Sequence, residues 1–142
     1  MSRLRMLLVE DDEDHVFLIR RALRDLDDIE VDLDVIGDGE DAIRQLSFQQ
    51  DLHAEAQPQL VVLDLRIPKV NGLEVLRWIR SSAGLATVPV AVLTSSEHDD
   101  DSLRCRELGA NDYVCKPLDG AQLRAEVQAL ARRWSGRVTS SN

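Results

Sequence analysis

Carboxylate groups follow two of the apolar segments of this chain. Asp64 comes directly after residues 60–63, and the run Glu10-Asp11-Asp12 comes directly after residues 6–9. Like charges gathered at one place repel one another unless a cation holds them, and hard oxygen ligands suit Mg²⁺ better than zinc or copper. Asp64 can also act as a nucleophile, because carboxylates form acyl phosphates. These residues predict a site for a divalent cation and a phosphoryl group.

Two further polar residues come at the ends of apolar segments. Thr94 follows residues 88–93 and offers a hydroxyl donor, and Lys116 follows residues 111–115 and offers a mobile positive charge. A carboxylate nucleophile, a divalent cation, an ammonium group and a hydroxyl form a minimum set for phosphoryl transfer. Taken alone, Thr94 fits a helix cap or turn, and Lys116 fits a surface lysine. Their joint occurrence at strand ends favours the functional interpretation.

The segments that must position these residues alternate between apolar runs and amphipathic stretches. Strands are predicted over residues 4–9, 31–36, 60–63, 88–93 and 111–115, and helices over residues 15–26, 40–50, 72–81, 97–108 and 118–134. The second strand alternates apolar with acidic residues, which indicates a sheet edge. The polar segment 51–59 is predicted to be a loop or a helical extension. Residues 135–142 are predicted to be a flexible tail after a domain spanning residues 1–134.

Strict alternation of strands and helices predicts an α/β fold, with a doubly wound parallel sheet covered by helices on both faces. Ligands of such sheets bind beyond the carboxyl ends of the strands, where the strand order reverses. This topology would bring together residues that lie far apart in the sequence, namely Glu10, Asp11, Asp64, Thr94 and Lys116.

The composition excludes several classes of function. The 142 residues fit one domain, and the net charge of −9 argues against binding to nucleic acid or to anionic lipid. Cys105 and Cys115 are too few for a disulfide framework or a zinc site, so reduced thiols are expected. No apolar stretch is long enough to cross a bilayer and no signal-peptide pattern is present, which predicts a cytoplasmic protein.

Four segments around these residues resemble the receiver domain of two-component response regulators. They are residues 7–12, 62–72, 92–95 and 112–117, and the resemblance covers roughly residues 4–133. It implies a flavodoxin-like (βα)5 fold with five parallel strands in the order 2-1-3-4-5. Segments 47–59 and 81–88 resemble those of single-domain regulators that partner bacterial phytochromes. The expected partner is therefore a sensor histidine kinase of the phytochrome type.

The resemblance also implies how the carboxylates divide their roles. Asp64 would accept a phosphoryl group from the kinase, without the chain being an enzyme in the ordinary sense. Mg²⁺, or Mn²⁺ in its place, would be bound by Asp11, by Asp64, by the backbone carbonyl of Arg66, and by Glu10 through water. Two residues depart from the commoner family pattern. Asn71 stands where an acidic residue is frequent. Arg66 places a long cation beside the phosphorylation site, which would alter the lifetime of the acyl phosphate in a direction that the sequence does not indicate.

The same resemblance implies a switch. Lys116 would pair with the phosphoryl group, Thr94 would move towards it, and Tyr113 would rotate inward. The Lys116–Pro117 peptide bond would be cis, an isomer used where a tight turn aims a side chain. Phosphorylation would then change the surface built from residues 99–108, 111–115 and 118–134.

Output is expected to pass through protein contacts, dimerisation or onward transfer of the phosphoryl group, because no DNA-binding or enzymatic segment follows residue 134. Val16, Phe17 and Arg20 on the first helix are candidate contacts for the kinase, although core packing explains Val16 and Phe17 equally well. Trp134 and the apolar stripe of the last helix offer a homodimer surface, although packing on the sheet explains most of that stripe.

Two other functions compete with the regulator. An aspartate-nucleophile phosphatase usually carries a second acid two residues after the nucleophile, and Arg66 occupies that position. A receiver-like scaffold that is never phosphorylated would not need the intact set of Asp11, Asp64, Thr94 and Lys116. Both alternatives are therefore disfavoured.

Overall fold

The computed structural model describes residues 2–51, 57–95 and 99–139. Strands and helices alternate along these residues: β1 (Ser2–Val9), α1 (Glu13–Arg24), β2 (Ile29–Ile36), α2 (Gly39–Gln49), β3 (Leu60–Leu63), α3 (Gly72–Ser81), β4 (Val90–Thr94), α4 (Asp99–Glu107), β5 (Asp112–Cys115) and α5 (Gly120–Thr139). None of the described helices is long and apolar enough to cross a membrane.

The strands form one parallel sheet in the order β2-β1-β3-β4-β5, which confirms the predicted topology. Every residue of β3 and of β4 is buried, as expected of inner strands that helices cover on both faces. Exposed acidic residues alternate with half-buried apolar residues along the middle of β2, which confirms its place at the sheet edge. Their charges also protect this edge against pairing with another chain.

Two apolar cores lie on opposite faces of the sheet. Helices α1 and α5 cover one face, where Ile19 and Leu130 pack with Leu8. Helices α2, α3 and α4 cover the other face, where Leu76 and Cys105 pack among side chains of β3 and β4. Alternation of side chains along each strand sends neighbours to opposite cores, and this doubly wound arrangement leaves the strand ends free to carry polar groups.

Helix boundaries follow capping groups that the hydrophobic pattern does not contain. α1 begins at Glu13 rather than at His15, because the side chain of Asp12 caps it by accepting hydrogen bonds from the backbone N–H groups of Asp14 and His15. α3 has its predicted bounds. α4 ends in a Schellman motif, in which Gly109 has a φ of 92° and the Ala110 N–H donates to the Cys105 carbonyl.

The last helix is longer than predicted. α5 was expected to end at Trp134 but continues to Thr139, so the predicted end of this helix is wrong. The flexibility of residues 135–142 stays a prediction. Ser135 is buried, and backbone hydrogen bonding can extend a packed helix through polar residues that show no apolar pattern. Residues 140–142, most of the polar segment 51–59, and the predicted start of α4 at residue 97 lie outside the described residues.

Candidate functional site

The carboxyl ends of the inner strands bring the predicted site residues to one edge of the sheet. Glu10 and Asp64 follow β1 and β3 directly, and these strands pair so that Val9 lies opposite Leu63. The Asp64 N–H continues the ladder by donating to the Val9 carbonyl at 3.0 Å. Glu10 and Asp64 are only 3% and 4% exposed, whereas Asp11 is exposed. Two carboxylates are therefore buried side by side, and a third borders solvent.

Three donors hold the carboxylate of Asp64. The hydroxyl of Thr94, a fully buried residue, donates to Oδ1 at 2.9 Å, and the backbone N–H of Arg66 donates to the same oxygen at 3.0 Å. The ammonium group of Lys116 donates to Oδ2 at 2.8 Å. These bonds offset the free energy that burial of a charged carboxylate would otherwise cost. They also orient both oxygens, which prepares the group to act as a nucleophile.

Lys116 links the two buried carboxylates. Its ammonium group donates to Oε1 of Glu10 as well as to Asp64, and its side chain is only 4% exposed. Burial lowers the pKa of Lys116, but hydrogen bonds and attraction from Asp64 and Glu10 outweigh it and raise the pKa above its ordinary value. Burial raises the pKa of Glu10, and the attraction of Lys116 offsets only part of that rise. The site therefore keeps a charged lysine between two acids.

An acidic cluster at this site fits a divalent cation. Glu10, Asp11 and Asp64 each offer a carboxylate oxygen, and these oxygens lie within 4.8 Å of one another. A set made only of oxygen donors, open to water on the side of Asp11, suits Mg²⁺ or Mn²⁺. The predicted contribution of the Arg66 carbonyl stays a prediction, although the hydrogen bond of the Arg66 N–H to Asp64 places its peptide at the site.

Two features of the predicted switch concern β5 and the residues that follow it. Tyr113 lies on β5 opposite Val92 and packs, half-buried, against the core formed with α2, α3 and α4. Its inward rotation stays a prediction. The predicted cis peptide bond between Lys116 and Pro117 is wrong, because no cis bond occurs in the described residues. A trans bond already carries the ammonium group of Lys116 to Asp64.

His15 belongs to the site, although it was not among the predicted site residues. Its Nδ1 lies 3.0 Å from the ammonium nitrogen of Lys116 and 3.5 Å from Oδ2 of Asp12. A signal existed in the sequence. If Asp12 is taken as a helix cap, His15 falls in the first helical turn, directly above the end of β1. Because the helix was predicted to begin at residue 15, Asp12 was not identified as its cap and His15 was not placed beside the site.

The candidate partner surfaces differ in their exposure. Phe17 is 60% exposed, so core packing does not explain it, whereas Val16 is partly buried against the core. Arg20 is exposed on the same helix. Trp134 is buried, and its indole N–H donates to Asp112 at 3.0 Å, so packing within the domain accounts for this residue.

A doubly wound domain of this kind, with a donor-bound aspartate at the end of its central strand, has the architecture of a signalling receiver. The family model of the response regulator receiver domain matches residues 6–128. The chain belongs to this family, as its resemblance predicted. Its fold is the flavodoxin-like fold with strand order 2-1-3-4-5.

Similar proteins include response regulators that the chain matches over almost their whole length. Response regulator Rcp1 of Synechocystis sp. is 34% identical over 134 residues, which are 94% of this chain and 90% of Rcp1. The Mn²⁺-bound crystal structure of Rcp1 superposes with a TM-score of 0.82 at 34% identity, covering 92% of this chain and 94% of that one. The phosphorylated cyanobacterial phytochrome response regulator RcpA superposes with a TM-score of 0.85 at 31% identity, covering 94% of each chain.

Other relatives extend this comparison. The receiver domain of the sensor histidine kinase PA1611 of Pseudomonas aeruginosa, with magnesium coordinated in its active-site cleft, superposes with a TM-score of 0.74 at 29% identity, covering 95% of this chain and 99% of that one. The chain spans only 54–56% of the length of some transcriptional regulators that it matches. The receiver domain is thus found both alone and within longer proteins.

Proposed function

We propose that this chain is a single-domain response regulator, which accepts a phosphoryl group on Asp64 from a sensor histidine kinase in a Mg²⁺-dependent reaction. The observation that carries this proposal is the convergence of Thr94 and Lys116 on the two oxygens of one buried carboxylate. Packing of the fold does not require a hydroxyl and an ammonium group to converge on one buried carboxylate. Phosphoryl transfer does require a nucleophile with donors already placed around it.

The transfer begins on a phosphohistidine of the kinase. A carboxylate oxygen of Asp64 attacks the phosphorus, the P–N bond breaks, and the kinase imidazole takes up a proton while an acyl phosphate forms on Asp64. A bound Mg²⁺ would neutralise phosphoryl charge, held by Glu10, Asp11, Asp64 and the Arg66 carbonyl. Lys116 is already within hydrogen-bond distance of Asp64, so a small movement brings its charge to a phosphoryl oxygen.

Phosphorylation adds a charge of about −2 beside groups that can respond to it. Thr94 would pass its hydroxyl hydrogen bond from Asp64 to a phosphoryl oxygen, and Tyr113 would turn towards the space that Thr94 leaves. Interactions that form only in the phosphorylated state shift a pre-existing equilibrium between two conformations. The changed surface is that of α4, β5 and α5, which we propose as the signalling face.

The kinase partner is proposed to be of the phytochrome type. The support is similarity to Rcp1 and RcpA over almost the whole length of those proteins. Helix α1 offers the exposed Phe17 and Arg20 beside the phosphoacceptor edge as candidate kinase contacts. A regulator that meets such a kinase would act in the cytoplasm.

Labelling with acetyl phosphate tests the proposed function. In the presence of Mg²⁺, the wild-type protein is expected to gain one phosphoryl group, measured by intact-protein mass spectrometry, and to gain none when EDTA is present. Asp64→Asn is expected to abolish labelling, because an amide cannot form the acyl phosphate. Asp34→Asn, a matched change at an exposed acid on β2, is the control and should label normally.

Three outcomes would contradict the proposal. Undiminished labelling of Asp64→Asn would place the phosphoacceptor elsewhere. Rapid consumption of the donor in many turnovers without a stable adduct would indicate the phosphatase. A wild-type protein that gains no phosphoryl group would indicate the scaffold.

A further inference from the structure

The imidazole of His15 contacts the buried ammonium group of Lys116, 101 positions further along the chain. An ammonium group has three N–H donors and no lone pair. The three acceptors around it are Oε1 of Glu10, Oδ2 of Asp64 and, at 3.0 Å, Nδ1 of His15. Each donor of Lys116 is therefore matched by one acceptor, and the orientation of the group is defined.

Nδ1 of His15 lies 3.0 Å from the ammonium nitrogen of Lys116, 3.5 Å from Oδ2 of Asp12 and 3.9 Å from Oε1 of Glu10. We assign Nδ1 as the acceptor for the ammonium group, which has no lone pair of its own, and this assignment places the ring proton on Nε2. The side chain of His15 is 32% exposed, while that of Lys116 is 4% exposed, so the imidazole is the outer group of the pair. The first turn of α1 holds the ring there, because the Asp12 cap binds the His15 N–H.

The three acceptors around Lys116 would have different roles in phosphoryl transfer. Asp64 becomes the acyl phosphate, and Glu10 belongs to the acidic cluster that fits a cation. His15 alone among the three has neither task. It can keep its hydrogen bond while the donor now directed at Asp64 passes to a phosphoryl oxygen.

We infer that His15 is a positioning residue, which holds the Lys116 ammonium group in place during phosphoryl transfer to Asp64. The inference rests on the proposed function, since it assigns His15 a part in that reaction. His15 acts only through Lys116 and touches no reacting atom in this role.

Two nearly isosteric substitutions test this role. Oδ1 of asparagine in His15→Asn can accept the hydrogen bond near the position of Nδ1, whereas leucine in His15→Leu has a similar shape and no acceptor. At saturating Mg²⁺, we expect acetyl phosphate to label His15→Leu about tenfold more slowly than wild type, the size expected for one lost hydrogen bond to a charged group. His15→Asn should label within about twofold of wild type. Equal rates for both variants would overturn the inference.

Nitrogen NMR of the unphosphorylated protein gives a readout that does not need the reaction. We expect the Nδ1 shift of His15 to be that of an unprotonated acceptor, and the Lys116 ammonium signal to be protected from solvent exchange in wild type and in His15→Asn. This protection should be lost in His15→Leu. A doubly protonated ring in wild type would overturn the inference, even if the leucine variant failed to fold. Failure of the proposed function can be distinguished from failure of this inference, because the wild-type protein itself would then remain unlabelled by acetyl phosphate.

Discussion

At the scale of single residues, the site depends on close pairing of donors with acceptors. Asp64 accepts from Thr94 and from Lys116, and both oxygens are engaged before any phosphoryl group arrives. Arg66 contributes its backbone N–H, while its side chain is exposed and forms no ion pair with the described residues.

The two cysteines differ in burial, and their thiols are therefore expected to differ in reactivity. Cys105 is fully buried and Cys115 is exposed. Burial, and secondarily the charge of Asp101, raises the pKa of the Cys105 thiol to about 11. Iodoacetamide at a pH of about 8, near the ordinary thiol pKa, is expected to modify Cys115 but not Cys105 in the folded protein, and both after denaturation. Peptide mapping by mass spectrometry checks this, and rapid native modification of Cys105 would contradict it.

The same thiol makes stability depend on alkaline pH. In the unfolded chain Cys105 loses its proton near its ordinary pKa of 9.0, whereas the folded protein keeps it until about 11. Between these values the unfolded state binds fewer protons, so the free energy of unfolding falls as pH rises. Urea titrations across this range should show a steeper fall for wild type than for Cys105→Ala. Parallel curves would count against the thiol as the cause.

At the scale of the secondary-structure elements, helix α3 supports the strand end that carries Asp64. A Cβ atom on Gly72 would lie 2.4 Å from the Asp64 carbonyl oxygen and 2.6 Å from the Leu65 Cα, so only glycine fits this close approach. The Gly72 N–H donates to the Leu65 carbonyl at 2.9 Å. The start of the helix and the loop after β3 therefore form one packed unit.

The cap of α3 can be tested separately from the site. The side chain of Asn71 accepts from the Glu74 N–H at 3.0 Å, which satisfies one of the unpaired donors at the helix start. Asn71→Ala is expected to lower the free energy of unfolding by about 1 kcal/mol, and Asn71→Asp to change it little, because aspartate caps equally well. Urea denaturation measures both. Equal losses in the two variants would show that the cap is not the cause.

At the scale of the whole molecule, Arg80 joins the segments at the end of the sheet opposite the site. Its guanidinium group donates to the carbonyl oxygens of Val88 at 2.7 Å and of Gly109 at 2.8 Å, and to Oδ1 of Asn111 at 3.0 Å. The loop before β4 and the turn before β5 are thus held to the end of α3. Asn111 in turn accepts from the Val90 N–H, which continues the connection into the sheet.

Loss of the Arg80 hydrogen bonds should lower the free energy of unfolding. Arg80→Met is expected to lower the free energy of unfolding by about 2–3 kcal/mol, because several carbonyl and amide acceptors lose a charged donor together. Arg77→Met is the matched control on the same helix. Arg77 forms an exposed ion pair with Glu74, so its loss should cost less than about 1 kcal/mol. Urea denaturation distinguishes them, and similar losses would refute the role of Arg80.

The sequence alone determined the fold class and predicted which polar residues would lie at the strand ends, because hydrophobic periodicity and strand-end polar residues are local patterns. Alternation predicted the doubly wound sheet, and the types of Glu10, Asp11, Asp64, Thr94 and Lys116 indicated their chemistry. Local patterns located α3 within its observed bounds. They misplaced the start of α1 and the end of α5, where a cap and tertiary packing decide the boundary.

Only the tertiary structure decided which groups meet. Thr94 lies 30 positions from Asp64, and Lys116 lies 52 positions from it, yet both donate to that carboxylate. The contact of His15 with Lys116 and the burial of Trp134 also appeared only in the folded chain. The physical reason is that strand order, register and helix phase act together over long sequence separations. Proximity across the sheet is therefore a property of the fold, which no local pattern of residues contains.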